Sequence, residues 1–186
     1  MAIAELMALV APPAAPVEAG SPQGWAVIEE ALRTALPDDY KALVNRYGLG
    51  RFGGYAVPLN PFLRPPGYLH LVESGRAVLE DYEAGRAEFP EFHPPFPAFP
   101  APGGLLPWGR DENAGLLCWR TLGPPEAWTV VLLDSHYSEN CVAHPVSATG
   151  FLAGWLSGRL EVRFWPEDVG PQECPLFEPF TPPWYR

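Results

Sequence analysis

Three stretches carry side chains of the right types for chemistry. Asp134-Ser135-His136 holds the three groups of a hydrolytic triad, and Cys141 and His144 stand at a spacing that suits two metal ligands. Gly48-Leu49-Gly50-Arg51-Phe52-Gly53 satisfies the letters of a nucleotide loop, G-x-G-x-x-G. None of the three survives a physical reading. A triad is assembled from distant positions held in mutual geometry, which three consecutive turn residues do not provide. No G-x-S-x-G elbow occurs to present a serine. Tetrahedral zinc needs four ligands, and no second local pair accompanies Cys141 and His144. A Cys/His nucleophile pair, Cys118 with His136 or His144, remains open. Cys118 sits in an apolar run, "GLLCWR", where an inert buried thiol is the usual case. The adjacent carboxylates Asp38-Asp39 and Asp111-Glu112 point in different directions and read as helix-cap and turn residues. The expectation is no catalytic residue, no metal and no cofactor.

The glycine stretch is decided by the element before it. A dinucleotide loop follows a strand and opens a helix, whose terminal amides hold the pyrophosphate. Here the glycines follow a helix. Tyr40, Leu43, Val44 and Tyr47 recur at the spacing of one buried stripe, and Asp38-Asp39 suit the positive end of that helix. Gly48 falls where a C-cap belongs, and Gly50, Gly53 and Gly54 let the chain turn into the next strand. The helix end nearby is negative and repels phosphate.

The remaining elements follow from periodicity. Ser21 and Pro22 start a helix through Trp25, Ile28, Leu32 and Leu36. "GYAVPLNP" is a short strand whose proline places it at an edge or a strand end. A longer helix runs from about Leu71 to Phe89, with Leu71, Val78, Leu79, Tyr82 and Phe89 inward. Gly75 and Gly85 weaken it by up to about 1 kcal/mol each relative to alanine, so packing has to supply the difference. "PEFHPPFPAFPAPGG" reads as an extended strap over a core edge, with a polyproline recognition segment as the alternative. Three apolar runs, "GLLPWGRD", "GLLCWRTLG" and "WTVVLLD", make an antiparallel meander, and a short strand near Cys141 to His144 extends it. Ser147 or Thr149 opens a last helix ending before Gly158, and "LEVRFWP" adds an edge strand. Trp25, Tyr47, Trp108, Trp119 and Trp155 are core by spacing. The fold class is α+β, a central mostly antiparallel sheet with packed helices. Residues 1–20 read as a flexible tail, 21–165 as the domain, and 166–186 as a Pro-rich C-terminal segment.

Composition narrows the partners. The net charge is −10, and nucleic acid requires a basic footprint, so it is not the expected partner. The charge would instead steer a basic protein towards the chain. The 25 prolines crowd residues 12–22, 90–107 and 166–183. The three cysteines, Cys118, Cys141 and Cys174, are odd in number and form no C-x-x-C, which suits a reducing compartment. Glu5 interrupts a short apolar N-terminal run with no basic start, and no stretch reaches the roughly 20 apolar residues of a membrane span. A cytoplasmic protein without a membrane partner is expected. Lys41 alone among 12 basic residues is lysine, which fits a GC-rich bacterial genome.

Several words of the sequence resemble the SMI1/KNR4 family, also called the SUKH superfamily. They are "WAVIEEAL", "LPDDYKALVNRYGLGRFGG", "PLNP", "PGGLLPWGRDENAGLLCWRTLGPPEAWTVVLLD" and "FLAGWLSGRL". The P-W-G…G…W-x-T-x-G-x-P-x-x-W portion is similar to the actinobacterial branch. The resemblance covers roughly Trp25 to Leu160. Leu116 stands where relatives often place an acidic residue after the turn glycine, which leaves Asp111 and Glu112 as substitutes. The resemblance implies an α+β domain that binds proteins, with no catalytic residues. It implies a cytosolic immunity protein that neutralises a nuclease- or deaminase-type toxin, or else an interaction scaffold without a toxin partner. Loops at the ends of a rigid sheet are the usual contact places. The candidate partner-binding residues are Asp111, Glu112 and Asn113 in one turn, Tyr137 and Glu139 in another, and Arg51 and Phe52 at the glycine turn.

Overall fold

The apolar runs that read as strands alternate between two buried faces. Leu117, Trp119, Val130 and Leu132 join one hydrophobic cluster, while Leu116, Cys118, Val131 and Leu133 join another on the opposite face. A strand covered on both sides has no polar face to display, which is why these runs look uniformly apolar rather than alternating. This is seen in a computed structural model that describes residues 2–138 and 141–180.

The strands are β1 (Gly50–Phe52), β2 (Ala56–Pro58), β3 (Leu105–Asp111), β4 (Leu116–Arg120), β5 (Thr129–Leu133), β6 (Val142–His144) and β7 (Phe177–Pro179). They form a seven-stranded sheet in the order β6-β5-β4-β3-β2-β1-β7, with every pair antiparallel. The helices are α1 (Ala2–Leu9), α2 (Pro22–Leu32), α3 (Asp38–Tyr47), α4 (Leu71–Glu88) and α5 (Ala148–Leu156). The fold is α+β. Buried residues of α1, α2, α3 and α5 fill the larger cluster, whereas Val78 and Tyr82 of α4 join the smaller one.

Local signals explain the helix ends. Ser21 accepts from the Gly24 amide and Pro22 occupies the first turn of α2; Ser147 accepts from the Gly150 amide at the start of α5. Asp39 does more than favour its own helix. Its Oδ2 accepts from the Thr149 amide at 3.0 Å and the Thr149 hydroxyl at 2.9 Å, joining α3 to the N-terminus of α5.

Three expectations need correction. Residues 1–20 are not a loose tail among the described positions: α1 is helical, Leu6 is fully buried, and the Tyr47 hydroxyl donates to the Val10 carbonyl at 2.6 Å. Glu5, which interrupts the apolar run, is exposed and pairs with Arg159. β2 lies inside the sheet with Pro58 as its last residue, the second of the two places expected for its proline, where a missing amide is tolerated. "LEVRFWP" forms turns that bury Val162 and Trp165, and the edge strand arises later, at β7. Phe89, expected inward, is 47% exposed because the helix ends one residue before it.

Candidate protein-binding surface

The glycine stretch has no room for a phosphate. A Cβ at Gly48 would lie 2.1 Å from the Val17 carbonyl oxygen, and Gly48 has a φ of +68°, so glycine is required twice over. At Gly50 a Cβ would meet the Phe177 ring at 2.4 Å, and at Gly53 the Trp155 ring at 2.5 Å. These glycines let β7, α5 and the chain at Val17 approach the backbone closely. Their role is packing.

The other chemical stretches are equally engaged. Asp134 Oδ1 accepts from the His136 and Ser138 amides, and its Oδ2 from the Ser138 hydroxyl at 2.5 Å, so this carboxylate closes its own turn. These bonds hold the Asp134 pKa below the ordinary carboxylate value against the opposing effect of burial. Burial pushes the Cys118 thiol far above its usual pKa, which keeps it protonated and unreactive. His144 is buried beside the Phe151 ring, at 5.4 Å between centroids, and burial lowers its pKa. Among the described residues no group of three or more His, Cys, Asp and Glu is placed to hold a metal.

The sheet end that carries the β3–β4 turn brings several candidate residues together. β2 aligns Ala56 with Asp111, and β1 lies on the far side of β2. Arg51 of β1 reaches Glu112 at 3.0 Å and Glu178 of β7 at 2.6 Å, making one cation between two carboxylates. Glu112, Asn113 and Ala114 are exposed. Beside them lies a shallow pocket of about 180 Å³ that Asp111, Glu112, Arg110, Tyr68 and Phe180 help to line. Tyr68, 59% exposed, gives this end an aromatic side chain that no sequence motif marks.

Asp111 is the exception in the turn. It is 7% exposed and accepts from the Asn113 amide at 3.0 Å, the Gly115 amide at 2.7 Å and the Trp165 indole at 3.0 Å. Burial raises its pKa despite those donors. Its work is to hold the turn. Phe52 is also withdrawn from the surface: it is 1% exposed and packs against Phe177 and Tyr47 at 4.8 and 5.1 Å. The alternation of β1 sends Arg51 out and Phe52 in. Tyr137, with a φ of +52°, leans on Tyr82 in the smaller cluster. Glu139 lies outside the described residues.

A family model described as SMI1-KNR4 cell-wall matches residues 23–152. The chain belongs to the SMI1/KNR4 family. The match runs from α2 into α5 and takes in β1 to β6, so the SMI1/KNR4 portion contains all of the sheet except β7. Both flanks fold onto that portion, α1 against α5 and β7 against β1. No curated protein and no solved structure matches the chain significantly. Among the described residues no helix is long and apolar enough to cross a membrane.

Proposed function

We propose that this chain is a cytosolic immunity protein of bacteria that binds a toxin domain directly and neutralises it. The observation that carries the reading is the SMI1/KNR4 match over residues 23–152. The net charge of −10 supports it, since an acidic inhibitor suits the basic groove of a nuclease or nucleobase deaminase and is captured faster by it. The groups with catalytic potential are occupied as described: the Asp134 carboxylate in its own turn, the Cys118 thiol in the core. The reading is therefore of a binder rather than an enzyme.

Co-expression tests it. The chain is expressed with each candidate toxin domain encoded in the same genome, and growth is followed. Rescue from one toxin, with a stoichiometric complex recovered on size exclusion, is the expected result; failure to rescue from any of them overturns the reading.

A further inference from the structure

Gly75 is a buried glycine inside α4 with nothing packed on it. A Cβ built there meets no atom within 4 Å. At Gly85, by contrast, the His93 ring nitrogen would lie 2.8 Å away, so packing accounts for that glycine. Alanine at Gly75 would favour the helix by up to about 1 kcal/mol, and no neighbour forbids it. What the missing side chain leaves open is a groove of about 370 Å³, within the size range of ligand sites.

The groove is mainly aliphatic and aromatic. Leu32 of α2 forms one wall, Val72 and Leu79 of α4 the other, and Leu106 of β3, Phe99 and Pro100 complete it. Its apolar surface continues outward along α2, where Val27, one turn before the groove-lining Ala31, is 63% exposed. The charged residues lining it are Arg76, Glu80 and Glu83, of which Glu83 already accepts from the Ala98 amide and lies 4.0 Å from Arg86, leaving Glu80 as the exposed carboxylate. Along α4 as a whole the carboxylates of Glu73, Glu80, Asp81, Glu83 and Glu88 outnumber the cations of Arg76 and Arg86.

We propose that this groove is the docking site for an amphipathic helix of a basic protein. The helix lays aliphatic side chains over Gly75 and sets flanking Lys or Arg against Glu80 and its neighbours, a helix-in-groove mode of recognition. The inference rests on the protein-binding reading above and names the surface that performs it. The absent side chain at position 75 sets the depth of the groove, and the carboxylate excess of α4 sets the sign of the partner.

The test uses the full chain with methyl-labelled Leu and Val, titrated with an acetylated and amidated peptide of about 14 residues. Leucines stand at helical i, i+3, i+4, i+7 spacing and lysines elsewhere, and a control replaces lysine by glutamate. Shifts centred on Leu32, Val72, Leu79 and Leu106 are expected with the lysine peptide alone. Gly75→Leu, which fills the groove, should weaken binding about tenfold, while Ala77→Leu on the solvent side of α4 leaves it unchanged. Should Gly75→Leu disturb folding, Glu80→Lys at an exposed position probes the rim instead, with a several-fold loss expected. Binding that ignores both groove variants, equal binding of the glutamate peptide, shifts centred elsewhere, or no binding overturns the proposal. So does cyclohexanol shifting these methyls when neither peptide does, since the groove would then be a small-molecule site. Toxin rescue that persists in Gly75→Leu would sink the groove and leave the immunity reading standing. Failure of rescue by the natural chain, with the peptide seated as expected, would do the reverse.

Discussion

The Trp165 indole donates to the buried Asp111 carboxylate at 3.0 Å, across 54 positions of sequence. This bond ties the segment after α5 to the turn between β3 and β4, where the exposed Glu112 and Asn113 are displayed.

Asp111→Ala should therefore cost about 2–3 kcal/mol, because it leaves the Asn113, Gly115 and Trp165 donors unpaired together. Asp111→Asn keeps acceptor oxygen and should cost less. Burial raises the folded pKa of Asp111, so the folded state holds its proton to higher pH than the unfolded chain does. The advantage of wild type over Asp111→Asn should shrink as pH rises through the range just above ordinary carboxylate values. Urea midpoints measured across that range check both the size and the slope.

His70 caps α4 by accepting from the Glu73 amide through Nδ1 at 3.2 Å, and burial lowers its pKa. A protonated imidazole loses that acceptor. The unfolded chain takes up the proton first, near pH 6.5, so stability is full above that pH and falls as the pH drops below it. His70→Asn retains a capping oxygen and should flatten the His70 part of this fall, at a cost at neutral pH within about 1 kcal/mol. Thermal melts of both proteins between neutral and mildly acidic pH are the measurement.

Two glycine-to-alanine changes should move stability in opposite directions. Gly48→Ala meets the Val17 carbonyl in a backbone conformation unfavourable to side chains, and a loss of about 3 kcal/mol or more is expected. Gly75→Ala has open space and should gain up to about 1 kcal/mol, a rise of a few degrees in Tm. Calorimetry on the two variants separates a glycine that the fold needs from one that the fold merely tolerates.

Leu6→Ala should destabilise the whole domain by about 2–5 kcal/mol, since Leu6 is fully buried between elements far apart in sequence. A single cooperative urea transition shifted to lower midpoint is expected. Local loss of the N-terminal helix, with the rest unchanged, would show that α1 is an accessory.

The central elements are legible in the sequence where local and tertiary signals agree. Ser21-Pro22 marks the start of α2, and the uniform apolarity of β4 and β5 marks strands covered on both faces. α1 is hard to see although Ile3, Leu6, Met7 and Val10 follow helical spacing, because the prolines after it suggest a tail and its partner, α5, lies some 140 residues away. β7 is hidden for a similar reason: "FEP" has almost no strand signal of its own, and its register comes from β1. At the candidate site, Arg51, Glu112 and Asn113 are readable as turn or edge residues. Glu178 is not, since nothing local announces a pairing that only sheet order creates. The groove leaves one trace, Gly75, whose meaning depends on what lies above it.

The pairing of β1 with β7 sets an order of events during synthesis. Arg51 and Glu178 are 127 positions apart. At roughly 5–20 residues per second, some 6–25 s separate their emergence from the peptidyl-transfer step. Through that interval the hydrogen-bonding groups of β1 on that side have no native strand to meet, while the β3–β4–β5 meander can already close. The nascent chain thus carries a temporary open edge that the finished protein does not have, and slowing translation after β6 would lengthen its exposure.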